Sequence, residues 1–551
     1  MPGRAILKIG GSWEAMRAGF AWPRPARFNI AEACCDAWAR VAPDRLALRY
    51  LRPDGDVRYY RSVQLARASR RFGEALRGHG IAAGDRVAVL LPQTPEAAIT
   101  HLACYRIGAV VVPLFTLFGE DGLAFRLADA GAKAIVTDGP NIAKVLAIRD
   151  RCPELAQVFS IDQREAGVHG FWQELGKAAE GGPVAATGPD DPAFIAYTSG
   201  TTGPPKGALH AHRTLIGHLP GIEFVHEGLG LPGDCIWTPA DWAWLGGLTN
   251  VLLPGLYHGV PVVAHRMAKF DPERAVDLLA DLGVRNAFLP PTALKLMRRS
   301  GVARIPGLRS VASAGEALGA EMLEWGRATF GREINEFYGQ TEANVVVGNA
   351  AAVMPVRPGS AGRPVPGHDV AVIDAEGQAL PPGQHGEIAV RRPDPVMFLG
   401  YWNRPDKTAE KFVGDWLRTG DEGMMDADGY LYFAARADDV ITSAGYRIGP
   451  SEIEDCLAGH PSVAMAAVVG APDPIRTEAV KAFVVLAPGA AAEGLAETLV
   501  ARVRERISPH VAPREVVFVE SLPLTATGKI QRRLLRDADP SKPLPPSSPS
   551  G

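Results

Sequence analysis

Cysteine is scarce and scattered. The six in 551 residues, Cys34, Cys35, Cys104, Cys152, Cys235 and Cys456, form no Cys-x-x-Cys pair and no Cys/His cluster with zinc spacing. Neither a disulfide scaffold nor a cysteine-built metal framework is therefore signalled, and buried, reduced thiols are predicted. Charge of one sign is equally lacking: 58 Lys and Arg against 61 Asp and Glu leave a formal −3, without the basic excess that a nucleic-acid partner requires. No apolar run approaches the ~20 residues that cross a bilayer. The first twenty residues carry charges at Arg4, Lys8, Glu14 and Arg17, and their apolar stretch is too short for a secretory signal. A soluble cytoplasmic protein with small-molecule partners and no membrane span is the expectation.

Glycine and proline, by contrast, are plentiful at 60 and 46, which implies many turns and close backbone approaches. At this length more than one structural unit is expected. Short apolar runs alternate with helical patterns: RVAVLLP (86–92), a helix over 95–109, VVVPLF (111–116), AIVTDG (134–139), AFIAY (193–197) and VPVVAHR (260–266). The alternation continues through RNAFLPP and SVASAG to INEFYG. Uncharged strands separated by helices predict an α/β fold with parallel sheets covered on both faces. After ARADDV (435–440) the pattern changes to strands AMAAVVG, VKAFVVLAP and VVFVESLP with one amphipathic helix, the size of a small α+β domain. The predicted division is 1–436, 437–535 and a disordered tail over 536–551.

The strongest local signal is Tyr197-Thr-Ser-Gly-Thr-Thr-Gly-Pro-Pro-Lys206-Gly207, directly after a predicted strand. Glycines at 200, 203 and 207 let the backbone approach a ligand. Ser199, Thr201, Thr202 and Lys206 supply donors for phosphate oxygens. No G-x-x-x-x-G-K-[ST] register fits, so this is not a Walker A loop.

This string resembles the phosphate-binding signature of the adenylate-forming superfamily, which includes acyl-CoA synthetases, luciferases and peptide-synthetase adenylation domains. Four further segments match in order: Glu336-Phe-Tyr-Gly-Gln-Thr-Glu342, Trp416-Leu-Arg-Thr-Gly-Asp421, the stretch from Arg436 to Glu454, and Thr525-Ala-Thr-Gly-Lys529-Ile. The resemblance covers about residues 28–535. It implies a large AMP-binding domain, a small mobile domain, and ATP, Mg2+ and coenzyme A as reaction partners. It also implies roles. Thr198, Ser199, Gly200, Thr201, Thr202, Gly203, Lys206 and Thr341 hold phosphates. Gly315, Glu316, Glu336, Phe337, Tyr338, Gly339 and Gln340 line the adenine side, with Tyr338 stacking on the base. Glu342 holds Mg2+, Asp421 and Arg436 bind the ribose, and Arg447 lies near the acyl phosphate. Lys529 acts on the adenylation step, and Asp438 is the hinge. These roles suit the chemistry, because joining a carboxylate to the α-phosphate of ATP brings anions together and needs cations and N–H donors to offset the repulsion. Two positions depart from the pattern: Ala435 replaces a glycine, and Ala343-Asn344 replaces Thr-Gly.

A peptide-synthetase module would normally continue into a carrier domain after the Lys529 motif, and free CoA is the acceptor expected here. The segments SAGYRIGPSEIE, APDPIRTEAVKAFVVL and TATGKIQRR are especially similar to medium-chain acyl-CoA synthetases. That likeness implies CoA contacts at Ala444, Gly445 and Tyr446, with Arg476 and Arg514 as candidates for its phosphates. Acetate-specific relatives carry Trp where Gly339 stands, so an acyl pocket open to several carbons is expected, walled by Trp242, Trp244 and Leu245. His210 and His212, just past the phosphate loop, read as ordinary hydrogen-bonded histidines. The expected activity is AMP-forming acyl-CoA synthesis on short- to medium-chain acids. The alternatives are an acetyl- or propionyl-CoA synthetase, an aryl-CoA ligase of the benzoate type, and a catalytically silent nucleotide sensor.

Overall fold

The computed structural model describes residues 4–163, 165–198, 204–267, 269–315, 318, 320–436, 441–523, 530 and 532–536. Among them, four sheets organise the chain. One has eight strands, and at its centre Ala132–Thr137, Arg86–Leu90, Val110–Pro113 and Pro192–Thr198 run parallel in that spatial order. Val87 to Leu90 and Val110 to Val112 are fully enclosed, which is why these strands read as unbroken apolar runs instead of alternating ones. A nine-stranded sheet lies alongside, with Leu46–Leu51, Val262–Ala264, Ile236–Trp237, Asn286–Phe288, Ser310–Ser313 and Ile334–Gln340 parallel.

The helix Pro95–Ile107 is buried at every position but Glu96. The Thr94 hydroxyl caps its start by accepting from the Ala97 amide, and Gly108 ends it at φ +76, as a left-handed terminator does. A helix enclosed on nearly all sides belongs to the core. Its one buried cation, Arg106, pairs with buried Asp36 at 2.7 Å, so the charge is not left alone.

The expected parallel sheets thus form the centres, but antiparallel strands border both. Lys206–Ala211 and Gly400–Tyr401 edge one, and Asn344–Gly348 and Arg363–Pro364 edge the other. A third sheet was not foreseen. Val370–Ile373, His385–Arg391, Trp416–Met425, Phe412–Val413 and Leu431–Arg436 are wholly antiparallel. Its long strand, WLRTGDEGMM, alternates buried and exposed positions. Half-solvated strands carry charges and glycine on the wet face, so a search for apolar runs passes over them.

Beyond residue 440, Ile441–Ser443, Tyr446–Ile448, Val463–Asp473, Thr477–Leu486 and Glu515–Phe518 form the fourth sheet. It packs on Pro450–Ala458 and Leu495–Arg506 through Leu457, Val468, Val484, Leu499 and Val503. Polar contacts among the described residues join this unit to the large one. The Gly119 amide donates to the Ile507 carbonyl at 2.6 Å beside an Arg506–Asp121 ion pair, and Lys295 donates to the Thr477 hydroxyl at 2.9 Å. The hinge candidate Asp438 and the tail beyond 536 lie outside the described residues. All six cysteines are unpaired, and all but Cys456 are buried; burial pushes the Cys34 thiol up to about 12. No helix among the described residues is long and apolar enough to cross a membrane.

Candidate active site

The two ends of the phosphate-loop string pair with each other. Thr198 pairs with Lys206 and Tyr197 with Gly207 across two antiparallel strands. A Cβ on Gly207 would stand 2.6 Å from the Ile195 side chain and 3.2 Å from the Tyr197 ring, so a larger residue at this strand position would force those side chains to move. Ser199, Gly200, Thr201, Thr202 and Gly203 lie outside the described residues. Lys206 places its ammonium 5.1 Å from the centre of the Tyr401 ring, a cation–π distance. The Tyr401 hydroxyl donates to Glu342 Oε1, and Glu342 is 6 % exposed. One tyrosine thereby joins the phosphate-loop lysine to the carboxylate at the end of the Glu336–Glu342 motif. Tyr401 lies outside the five motifs legible in the sequence. Its segment comes into place only because Gly400–Tyr401 pairs with the strand that begins at Lys206.

The Glu336–Glu342 motif follows the same logic. Ile334–Gln340 turns back on Asn344–Gly348, with a register shift between Tyr338 and Gly339. Asn344 adopts φ +46, the left-handed region where asparagine is tolerated in place of the expected glycine. It is held there by the Thr249 hydroxyl, which donates to Asn344 Oδ1 at 3.0 Å. Tyr338 donates its hydroxyl to Asp421 Oδ2 at 2.8 Å, fastening the adenine motif to the ribose motif. Asp421 is buried and stands opposite Arg436 in the adjoining strand. Gln340 donates to the Thr419 carbonyl at 3.2 Å. Glu336 accepts from the Leu318 amide at 2.7 Å, and burial pushes its carboxyl up to about 8. Phe337 is buried against Phe288, ring centres 5.5 Å apart. Glu316 and Lys529 lie outside the described residues.

Gly339 requires a correction. A Cβ built there would coincide with the Asn344 carbonyl oxygen. The missing side chain would project into the neighbouring strand and not into open pocket, so the glycine is demanded first by the close approach of two backbones. Trp242 also differs from expectation: it is 2 % exposed within the main core. Trp244 and Leu245 do line a cavity, together with Phe115, Phe118, Tyr197 and Thr341. Phe115 and Phe118 directly follow the parallel strand Val110–Pro113, and the carboxyl end of such a strand is where α/β sheets place ligands. That rule was the available signal for them.

The small domain reaches this cavity. Ile441–Ser443 and Tyr446–Ile448 form a hairpin whose two-residue turn, Ala444-Gly445, has φ +54 and +79, the type I′ geometry of tight hairpins. Gly315, itself at φ +110, faces it so closely that a Cβ there would touch the Gly445 Cα at 3.4 Å. Tyr446 stacks on His510 at 4.5 Å and turns toward Phe115 and Trp244, ring centres 6.0 and 6.4 Å away. The backbone of Arg447 pairs with Thr442. Arg514 has its guanidinium pKa lowered by burial and by the nearby charges of Arg476 and Arg504. Three arginines therefore gather where two were expected. His210 and His212 behave as ordinary core residues. His210 stacks on Phe194 at 4.6 Å and His212 accepts from the Ile30 amide at 3.2 Å, and burial drives both below the usual histidine range, to about 3 and about 4.

With this geometry in place, the chain belongs to the AMP-binding enzyme family, whose profile matches residues 35–402. The profile of the AMP-binding enzyme C-terminal domain matches residues 452–529. Within the family its relatives include acyl-coenzyme A synthetase ACSM3, mitochondrial, of Mus musculus, 35 % identical over 95 % of this chain and 93 % of that protein. Acyl-coenzyme A synthetase ACSM4, mitochondrial, of Homo sapiens is 37 % identical over 94 % and 91 %. Among solved structures, a Brucella canis acyl-CoA synthetase is 37 % identical with a TM-score of 0.72, covering 96 % of this chain and 98 % of its own. The anthranilate CoA ligase AuaEII is 28 % identical with a TM-score of 0.70, covering 93 % and 97 %.

Proposed function

We propose that the protein is an AMP-forming acid–thiol ligase that makes acyl-CoA from a carboxylic acid, ATP and coenzyme A. The observation that carries this reading is Tyr446 of the small domain, whose ring centre lies 6.0 Å from that of Phe115 and 6.4 Å from that of Trp244, two walls of the cavity that Thr341 also lines. A thiol acceptor delivered along the Ala444–Tyr446 turn reaches the same place as the adenylate. In the first step a carboxylate oxygen bonds to the α-phosphorus and the bond to pyrophosphate breaks. In the second, the CoA sulfur bonds to the acyl carbon, AMP leaves and the thiol proton passes to solvent. Lys206, Thr341 and Lys529 offset the charge of the first step, while Asp421 accepts from the ribose hydroxyls. The Arg476, Arg504 and Arg514 group suits the phosphates of CoA.

Glu342 fits a magnesium ligand: it is a buried carboxylate oriented by the Tyr401 hydroxyl, and hard oxygen donors are what that ion takes. Bound Mg2+ would neutralise phosphate charge. The apolar, aromatic cavity wall of Phe115, Phe118 and Trp244 supports an acid of several carbons, and equally a benzoate-type acid, the second reading. Residues 1–436 and 437–535 as the two functional units, Asp438 as the hinge between them, and a cytoplasmic location belong to the same proposal; cell fractionation checks the last. The relatives named above are mitochondrial by name. ATP–pyrophosphate exchange measured with acetate, butyrate, octanoate and benzoate tests the reaction and the substrate together. Exchange that needs no added acid, or none with any acid, overturns it and favours a nucleotide sensor.

A further inference from the structure

Upstream of the adenylate motifs, at the edge strand His169–Gly170 of the eight-stranded sheet, three side chains converge. His79 caps the C-terminal end of the helix Ser62–Gly78, His169 lies on that strand, and Glu174 sits on the short helix Phe171–Lys177 that follows. A ligating atom from each lies within 4.8 Å of the other two. His79 Nε2 and Glu174 Oε2 are 3.0 Å apart, and the two imidazole rings are 4.2 Å apart between centres.

The cluster is held from outside. The ring of Phe159 packs edge-on against His79 at 5.2 Å and tilted against His169 at 5.3 Å. The Gln157 Oε1 faces His169 Nε2 at 3.0 Å. An amide oxygen only accepts, so Nε2 carries the proton and the lone pair of that ring is on Nδ1. Lys177 occupies Glu174 Oε1 at 2.7 Å and leaves Oε2 to the histidine. This is the outer-shell support that metal-binding histidines and carboxylates have. All three ligands are partly exposed, so an ion can enter and keep water on an open position.

We propose that His79, His169 and Glu174 form a binding site for a borderline divalent first-row cation of the zinc type. Two imidazoles and one carboxylate favour such ions over Mg2+ or Ca2+, which take oxygen ligands. The ion replaces the proton shared by His79 and Glu174, and that proton goes to buffer. Tetrahedral bonds of about 2.1 Å put donor atoms about 3.4 Å apart, so side-chain adjustments of about 1 Å close the site. The carbonyl end of the helix that His79 caps also favours a cation, whereas Lys177 and the more distant Arg149 oppose it. The site ties the edge strand and its helix to the Ser62–Gly78 helix, and acts on stability instead of chemistry.

The test is calorimetric titration of Zn2+ into chelator-stripped full-length protein in excess Mg2+, with Co2+ absorbance reporting the ligand set. One site is expected, with a Zn2+-dependent rise in melting temperature. His169→Gln and Glu174→Gln should each abolish both, and Gln157→Leu should weaken binding about 10- to 100-fold, all three keeping wild-type adenylation. Circular dichroism checks folding, so a variant that fails to fold is replaced in the comparison by the other two. Absence of Zn2+ binding in the wild type, or binding unchanged in the folded variants, overturns the site.

Discussion

Gly339 and Asn344 interlock: a side chain on the first would occupy the carbonyl oxygen of the second, and Asn344 holds that carbonyl in place from a left-handed backbone. Chain-length control by a tryptophan at 339 is therefore not a simple filling of the pocket. Gly339→Ala and Gly339→Trp should both depress kcat for every acid and lower the melting temperature, with a stability cost of at least about 1–3 kcal/mol. The ratio of kcat/KM between octanoate and acetate separates the two readings. A shift toward acetate with stability intact would restore Gly339 as the pocket floor. Asn344→Gly should be well tolerated, since glycine adopts the same conformation freely.

Tyr401 links Lys206 to Glu342. Removing its hydroxyl in Tyr401→Phe leaves a buried carboxylate short of one donor. Hydrogen bonds to charged groups contribute about 1.5–3 kcal/mol, so exchange should fall about 10- to 100-fold and need more Mg2+ for half-saturation. An unchanged Mg2+ dependence would remove Glu342 from the metal role while leaving Tyr401 a structural one.

Glu336 yields a pH prediction. Its folded-state carboxyl is raised to about 8 from 4.5 by burial. Between those values the folded state keeps a proton that the unfolded state has lost. The contribution to stability is thus complete below pH 4.5, declines as pH rises to about 8, and is constant above. Glutamine mimics the neutral acid, so Glu336→Gln should gain on wild type through that window, by at most about 1.4 kcal/mol per pH unit. Chemical denaturation at pH 5, 7 and 9 measures it; a parallel pH dependence in both proteins would mean that Glu336 is ionised in the fold.

Arg514 and its neighbour Arg504 are expected to serve CoA alone. Arg514→Ala should raise KM for CoA about tenfold or more, as loss of a charge-assisted bond does, with pyrophosphate exchange unchanged. Arg504→Ala should act in the same direction with a smaller effect. A matching rise with dephospho-CoA would show that the contact is not to the ribose phosphate.

Lys529→Ala should reduce adenylation by about 10²–10³ while thioester formation from supplied acyl-AMP persists. Asp438→Pro fixes φ at the expected hinge and should slow the CoA step more than exchange. Equal slowing of both half-reactions would argue against a hinge.

The sequence alone determined the elements whose physics is local. Parallel core strands such as Arg86–Leu90 are legible because both faces are buried. The helix Pro95–Ile107 announces itself through its Thr94 cap and Gly108 stop, and the phosphate-loop string through its run of glycines and hydroxyls ending at Lys206-Gly207. The wet antiparallel strand Trp416–Met425 escaped because its charges and glycines look like loop. Tertiary structure decided what depends on contacts between distant segments: Tyr401 meets Glu342 across 59 residues, and His79 meets Glu174 across 95. It also decided where the bond from Gly339 would point. A motif fixes which residue type stands at a position, but the direction of a Cα–Cβ bond is set by backbone pairing with a neighbouring strand, and no spacing in the chain records that.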